Sequence, residues 1–138
     1  MESKGFFRIP LQKLKTGHYK LPVKVNGKTG HFILDTGASN SCIGFASIDR
    51  FLMHAEESKV KAAGAGANNM MTQIANNNTF SIGKKSKISM TFVLFDLSHV
   101  NSALSQVLEP PVQGILGADF LKESRAVIDY GRNVLFIK

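Results

Sequence analysis

The stretch Phe32-Ile33-Leu34-Asp35-Thr36-Gly37-Ala38-Ser39 decides how this chain is read. Three consecutive apolar residues end on a carboxylate, and a hydroxyl residue, a glycine and two more small residues follow. An acid where a strand leaves the core adds little to packing, but the turn behind it leaves the carboxylate accessible. Asp35 is therefore the catalytic candidate. The plainer alternative is an Asp that caps a turn by accepting local N–H groups, and the neighbouring sequence has to decide between the two.

Working outward, Tyr19 to Val25 alternates apolar and polar positions, Asn26-Gly27-Lys28-Thr29-Gly30 supplies turn chemistry, and His31 to Leu34 returns apolar. Asn-Gly between two such runs is the strongest short-range hairpin signal, and this hairpin delivers Asp35 at its exit. Phe6 to Leu14 mixes apolar and basic residues around Pro10, so residues 1–18 read as an edge strand or an irregular entry. Beyond Asp35, Ser41 to Ile43 reads as a short strand. Phe45 to Glu57 has helical or irregular character, with Phe45, Ile48, Leu52 and Met53 near helical spacing. Lys59 to Thr79 contains Gly64-Ala65-Gly66-Ala67-Asn68-Asn69 and Asn76-Asn77-Asn78, and reads as a mobile hairpin of small residues. Phe80 to Gly83 and Ile88 to Leu97 form two strands about a lysine-rich turn, and Val100 to Pro111 reads as a loop. Val112 to Gly117 is an apolar strand flanked by glycines, Ala118 to Ser124 a short helix, and Ala126 to Ile137 a final hairpin. No βαβ alternation is present, so the expectation is a single, mainly β domain over residues 1–138 with one or two short helices. The run Gln113-Gly114-Ile115-Leu116-Gly117-Ala118 echoes Phe32 to Gly37, which raises the question whether the two turns lie side by side.

With 138 residues and 43% hydrophobic content, the chain can build a core without metals or disulfides. Its longest apolar run, Met90 to Leu97, is far short of the roughly 20 residues needed to cross a bilayer, and Met1 to Arg8 lacks the apolar centre of a signal peptide. The lone Cys42 cannot close an intrachain disulfide, which fits a reducing, cytoplasmic setting. The net charge of +7 is concentrated before Asp35, where Lys4, Arg8, Lys13, Lys15, Lys20, Lys24 and Lys28 face Glu2 alone. Lys13, Lys15, Lys20, Lys24 and Lys28 are interspersed with Leu11, Leu14, Leu21, Val23 and Val25, as on the solvent face of edge strands. No aromatic–basic interleaving of the RNA-binding kind accompanies them, so a nucleic-acid partner is not expected.

A hydrophobic run into Asp35-Thr36-Gly37-Ala38-Ser39, a Gly-rich hairpin downstream, and Ile115-Leu116-Gly117 before a short helix together resemble the retropepsin-like aspartic proteases. The likeness is strongest to their single-domain bacterial type, whose last part often looks like Gly114-Ile115-Leu116-Gly117-Ala118-Asp119-Phe120-Leu121 followed by Ala126-Val127-Ile128-Asp129-Tyr130. Asp-Thr-Gly alone is a weak signal; joined to Ile-Leu-Gly it becomes specific. The resemblance implies a closed, largely antiparallel acid-protease barrel in which one subunit holds half an active site. Two copies of Asp35 would face one another across a homodimer axis and share one proton, because like charges about 3 Å apart cannot both ionise. One carboxylate would activate a water as general base while its protonated partner polarises the scissile carbonyl.

By the same resemblance Thr36 bonds across the dimer, Gly37 lets substrate backbone approach, Ala38 and Ser39 complete the loop, and Ile115, Leu116 and Gly117 pack beneath it. Gly64, Ala65, Gly66, Ala67, Asn68 and Asn69 occupy the place of the flap that closes over a bound peptide. The substrate is an extended peptide or protein segment, and no cofactor or metal is called for. One departure stands out. Retroviral members carry an acid at the position of Ser39 and an arginine at that of Ala118, forming an ion pair that ties the subunits together; both are absent here. Terminal strands such as Phe6 to Ile9 or Val134 to Ile137 are then expected to supply dimer contacts.

The other acids have plainer readings: Asp119 at a helix start, Asp129 in a hairpin turn and Asp96 at a strand end. Cys42 reads as a small core residue rather than a thiol nucleophile partnered by His31 or His54. His18, His31, His54 and His99 share no metal-ligand spacing. Gly83-Lys84-Lys85-Ser86 lacks the first glycine of a phosphate loop, and Gly64-Ala65-Gly66 the third of a dinucleotide fingerprint. The sequence thus points to an aspartic endopeptidase. The alternatives are a catalytically inactive domain of the same fold used for peptide binding or dimerisation, and more weakly a basic nucleic-acid-binding module.

Overall fold

The computed structural model describes residues 4–57 and 72–138, and the fold is mainly β. The hairpin before Asp35 forms as expected: β3 (Tyr19–Val25) pairs antiparallel with β4 (Lys28–Leu34). The turn between them is only Asn26-Gly27, with φ of 51° and 80°, the left-handed values that Asn and Gly adopt most readily. Asn26 is also a staple. Its side chain donates to Phe51 O (2.7 Å) and to Asn78 Oδ1 (3.0 Å), and accepts the Thr79 N–H (2.9 Å).

From β4 the sheet continues through β9 (Gly114–Leu116), β5 (Cys42–Gly44), β8 (Lys85–Phe95) and β7 (Gln73–Ile82), which returns to β3 and closes a six-stranded barrel. The β4–β9 and β5–β8 pairs are parallel and the other ladders antiparallel. Two-residue strands β2 (Gln12–Lys13) and β6 (Glu56–Glu57) extend the sheet beyond the circuit. Pro22 sits on the outer edge of β3 between its short pairings with β2 and β7, where a missing N–H interrupts no ladder. Inside the barrel, Phe32 stacks edge-on against Phe92 (6.1 Å) and Phe51 (6.5 Å), and Phe80 against Phe120 (5.2 Å).

The apolar run Met90 to Leu97 is explained by burial on both faces. Phe92 and Leu94 enter the barrel core, while Val93, Phe95 and Leu97 join a second cluster with Ile33, Cys42, Leu104 and Ile115. That second cluster is covered by helix α1 (Ser98–Gln106), a segment the sequence reading assigned to a loop. Asp96 accepts the Ser98 N–H at 2.8 Å to start the helix, and Leu97, Val100 and Leu104 form its inner stripe. Asn101 exchanges two hydrogen bonds with the backbone of Val112, at 2.8 and 3.1 Å, docking α1 onto the strand that enters β9.

Two further expectations are corrected. Asn76-Asn77-Asn78 lies within β7, where Asn77 (φ 60°) makes a bulge and the buried Asn78 side chain donates to Ala75 O and Met90 O. Lys20 is not on the solvent face: on β3, between β2 and β4, it is 8% exposed. In a separate three-stranded sheet, β1 (Phe7–Pro10) is the edge strand the sequence reading expects, pairing with β11 (Val134–Ile137), which also pairs with β10 (Val127–Asp129). Strand β11 is the centre of this three-stranded sheet and has no free edge. Helix α2 (Ala118–Glu123) follows β9 as expected, and no helix among the described residues is long and apolar enough to cross a membrane.

Candidate active site

Asp35 is the first residue after β4, and the strand before it has little freedom to move. Phe32 and Leu34 are buried in the barrel core and Ile33 in the second cluster, so the strand is held on both faces. Register with β9 sets Ile33 beside Ile115 and Leu34 beside Leu116, and the ladder runs one step further, from Asp35 N–H to Leu116 O at 3.0 Å. The chain then turns sharply. Ala38 N–H donates to Asp35 O (3.2 Å) and Gly37 N–H to Asp35 Oδ1 (2.9 Å). The carboxylate is half-buried, and its other oxygen has no protein partner among the described residues.

The two turns that echo one another in sequence lie side by side. Strand β9 runs between β4 and β5, and its glycines allow the approach. A Cβ on Gly117 would lie 2.7 Å from Ala38 O and 2.9 Å from Asn40 O, and one on Gly114 2.5 Å from Cys42 O. Ala118 N–H donates to Ala38 O at 2.7 Å, and Gly117 N–H to Ser41 Oγ at 3.0 Å. Ser41 and Asp119 hold the outer end of this junction, a contact that the reading of Asp119 as a helix-start residue missed. Asp119 does lie in the first turn of α2, but both its oxygens bind Ser41, at 2.7 Å to the hydroxyl and 2.9 Å to the N–H.

Of the other sequence-derived site residues, Ala38, Ile115, Leu116 and Gly117 are buried beneath the Asp35 turn. The Thr36 and Ser39 side chains are exposed and make no hydrogen bond among the described residues. Gly64, Ala65, Gly66, Ala67, Asn68 and Asn69 lie outside the described residues; on either side of that segment, Glu56–Glu57 pairs antiparallel with Gln73–Ile74. Cys42 is buried with its Sγ 3.2 Å from Asn40 O. Burial, with the charges of Asp119 and Asp35 adding to it, pushes its thiol up to about 12, the opposite of what a nucleophile needs.

Beside the Asp35 turn is a cavity of about 250 Å³, lined by Ile33, Ile115, Val100, Ala103, Leu104 and the rim residues Thr16, His18 and His99. Ile33 precedes Asp35 by two positions, so strand alternation places the cavity on the side to which the Asp35 side chain projects. Helix α1 forms one wall. The sequence signal for it was the Asp96-x-Ser98 start followed by Val100 and Leu104 at i, i+4 spacing.

Residues 21–120 match the family model described as Aspartyl protease. A search of curated proteins finds no match. Among solved structures, the chain is similar to a retropepsin-like aspartic protease from Rickettsia conorii, with TM-score 0.61 and 19% identity over 96% of this chain and 89% of that one. It is also similar to EIAV protease complexed with the inhibitor HBY-793 (TM-score 0.57, 22% identity, 80% of this chain and 90% of that one). A third similarity is to the retroviral protease-like domain of Ddi1 from Leishmania major (TM-score 0.56, 18% identity, 86% of each chain). At these identities the structures speak to the fold alone, a closed β-barrel with the ladder of β4 and β9 at its centre. The family match spans the Asp35 turn, the barrel and the Gly117 turn together, and on that ground the chain belongs to the aspartyl protease family.

Proposed function

We propose that the chain is an aspartic endopeptidase that cleaves peptide bonds by attack of a water molecule, activated between two copies of Asp35 in a homodimer. The observation that carries this reading is the state of Asp35: a carboxylate held by its own turn through one oxygen, with the other unpartnered among the described residues, beside an apolar cavity. The sequence contains one Asp-Thr-Gly, so a dyad requires two chains. In such a dyad one proton is shared: the ionised carboxylate removes a proton from water while the protonated one hydrogen-bonds the carbonyl oxygen. The substrate lies extended with one apolar side chain in the cavity lined by Ile33 and Ile115. Exposed Thr36 is available to bond the opposite loop. The flap role of residues 64–69, the action of residues 1–138 as one domain and a cytoplasmic setting rest on the resemblance and on the lone thiol.

The test is cleavage of a peptide library by purified protein between about pH 4 and 7, with the oligomeric state measured alongside and Asp35→Asn as control. Cleavage by a dimer, abolished in Asp35→Asn, is the expected result; cleavage that survives the substitution refutes the mechanism. A second reading, a non-catalytic domain that binds peptides, is favoured by one observation. Positions 39 and 118 carry no ion pair, so the tie between subunits found in the retroviral pattern is absent. A protein that stays monomeric at high concentration, inactive on every peptide yet retaining one of them, supports that reading.

A further inference from the structure

We propose that Ser41 and Asp119 form a positioning pair that fixes the loop carrying Asp35, and that catalysis depends on Asp119 through this loop although Asp119 touches no reacting atom. The catalytic part of the proposal rests on the endopeptidase reading; the structural part does not.

The direction of every hydrogen bond at the pair is forced. The Gly117 N–H can only donate, so Ser41 Oγ is its acceptor at 3.0 Å. The single hydroxyl proton of Ser41 is then free to point to Asp119 Oδ1, 2.7 Å away. Asp119 Oδ1 also accepts the Phe120 N–H (2.8 Å), and Oδ2 the Ser41 N–H (2.9 Å). Asp119 is thus an acceptor through both oxygens, and Ser41 is 0% exposed, so water offers no substitute partner.

The Asp35 turn and the Gly117 turn meet at three places. Two are backbone bonds that any sequence can make, Asp35 N–H to Leu116 O and Ala118 N–H to Ala38 O. The third, Ser41 with Gly117 and Asp119, depends on side chains and lies at the far end of the loop from Asp35. Without an acceptor at position 119 the hydroxyl loses its fixed orientation, Gly117 N–H loses an aligned acceptor, and the loop can pivot about the two remaining joints. Two carboxylates meeting across an axis tolerate little of this, since a displacement of about 1 Å at a reacting group costs up to about 100-fold in rate.

The experiment uses the full chain with Asp119→Ala, Asp119→Asn and Ser41→Ala, read by amide hydrogen exchange and by kinetics on a peptide the wild type cleaves. In Asp119→Ala the Ser41 and Gly117 amides are expected to exchange at least about 10-fold faster while β7 and β8 amides keep their protection. In the same variant kcat falls about 100-fold with KM within about twofold, the signature of lost transition-state geometry rather than lost binding. Asp119→Asn keeps one acceptor oxygen and recovers most of kcat. If Asp119→Ala does not fold, Ser41→Ala takes its place, with the same prediction for the Gly117 amide and for kcat. Unchanged exchange at Gly117, or an unchanged kcat in a folded variant lacking the pair, overturns the proposal. A wild type with no activity on any peptide defeats the endopeptidase reading instead, and the exchange measurement still decides whether the pair holds the loop.

Discussion

Replacing Gly117 by Ala tests whether the junction of the two turns is as tight as its geometry indicates. The added Cβ would sit 2.7 Å from Ala38 O, 2.9 Å from Asn40 O and 3.0 Å from the Asn40 carbonyl carbon, all backbone atoms. A tolerable C···O contact is about 3.3 Å, so the turns must separate by about 0.6 Å. That movement stretches the Gly117–Ser41 bond from 3.0 Å to about 3.6 Å, beyond the range of a hydrogen bond. A buried N–H left without a partner costs about 1–3 kcal/mol, and the overpacking about 1–3 kcal/mol more. The sum is about 2–6 kcal/mol, a large share of the stability of a domain this size. Urea unfolding reads it directly: with a slope of about 2 kcal/mol per molar, the midpoint falls by roughly 1–3 M at an unchanged slope. Gly131→Ala is the control, because its Cβ would meet only Asp129 Oδ1, at 3.4 Å; its midpoint should stay within about 0.3 M of wild type. Equal midpoints for Gly117→Ala and wild type would refute the reasoning, since backbone carbonyls cannot swing aside as a side chain can.

Cys42 gives a pH test. Its thiol is raised from 9.0 to about 12, first by burial and then by Asp119 and Asp35. Above pH 9 the unfolded chain releases this proton while the folded chain keeps it, so stability falls as pH rises, by up to about 1.4 kcal/mol per unit across that window. Wild type should therefore lose about 1.6 kcal/mol more than Cys42→Ala between pH 9 and 10.5 in urea titrations; parallel pH profiles would show the thiol is not held neutral. Asn26→Gly keeps the left-handed turn but removes the bonds to Phe51, Asn78 and Thr79. It should cost about 2–4 kcal/mol, and a cost below about 0.5 kcal/mol would deny Asn26 its role as a staple. Phe120, 2% exposed and edge-on to Phe80, should cost about 3–5 kcal/mol as Phe120→Ala by calorimetric or urea unfolding, and a small effect would show that the barrel core closes over the gap.

What could be read from the sequence was what short-range rules encode. Asn26-Gly27 specifies a turn of one hand, and the alternation on either side fixes the register that brings Asp35 to the end of β4. Helix α1 escaped because Pro110-Pro111 dominated its neighbourhood, and its inner stripe of Leu97, Val100 and Leu104 is apolar only relative to a cluster that other strands supply. Asn76-Asn77-Asn78 has the composition of a loop, yet Asn78 is buried because Asn26 from the β3–β4 turn, Met90 from β8 and Ala75 from its own strand supply three polar partners. The edge character of residues 7–10 was legible from Pro10, but nothing local announces that their partner is residues 134–137.

The site shows the same division between what is local and what is distant. The catalytic candidate sits in a motif of a few consecutive residues, but the groups that hold it come from positions far along the chain, with Ser41 and Asp119 separated by 78. In the retroviral pattern that this chain resembles, positions 39 and 118 are joined by charge; here Ser39 is exposed with no partner among the described residues, and Ala118 offers only its backbone to Ala38. The tie between the same two turns falls at residues 41 and 119 instead, and it is made inside one chain. An intrachain tie can hold the Asp35 loop in shape before any partner arrives. The energetic cost of ordering that loop is then met on folding, and a dimer contact has only to bring two finished loops together.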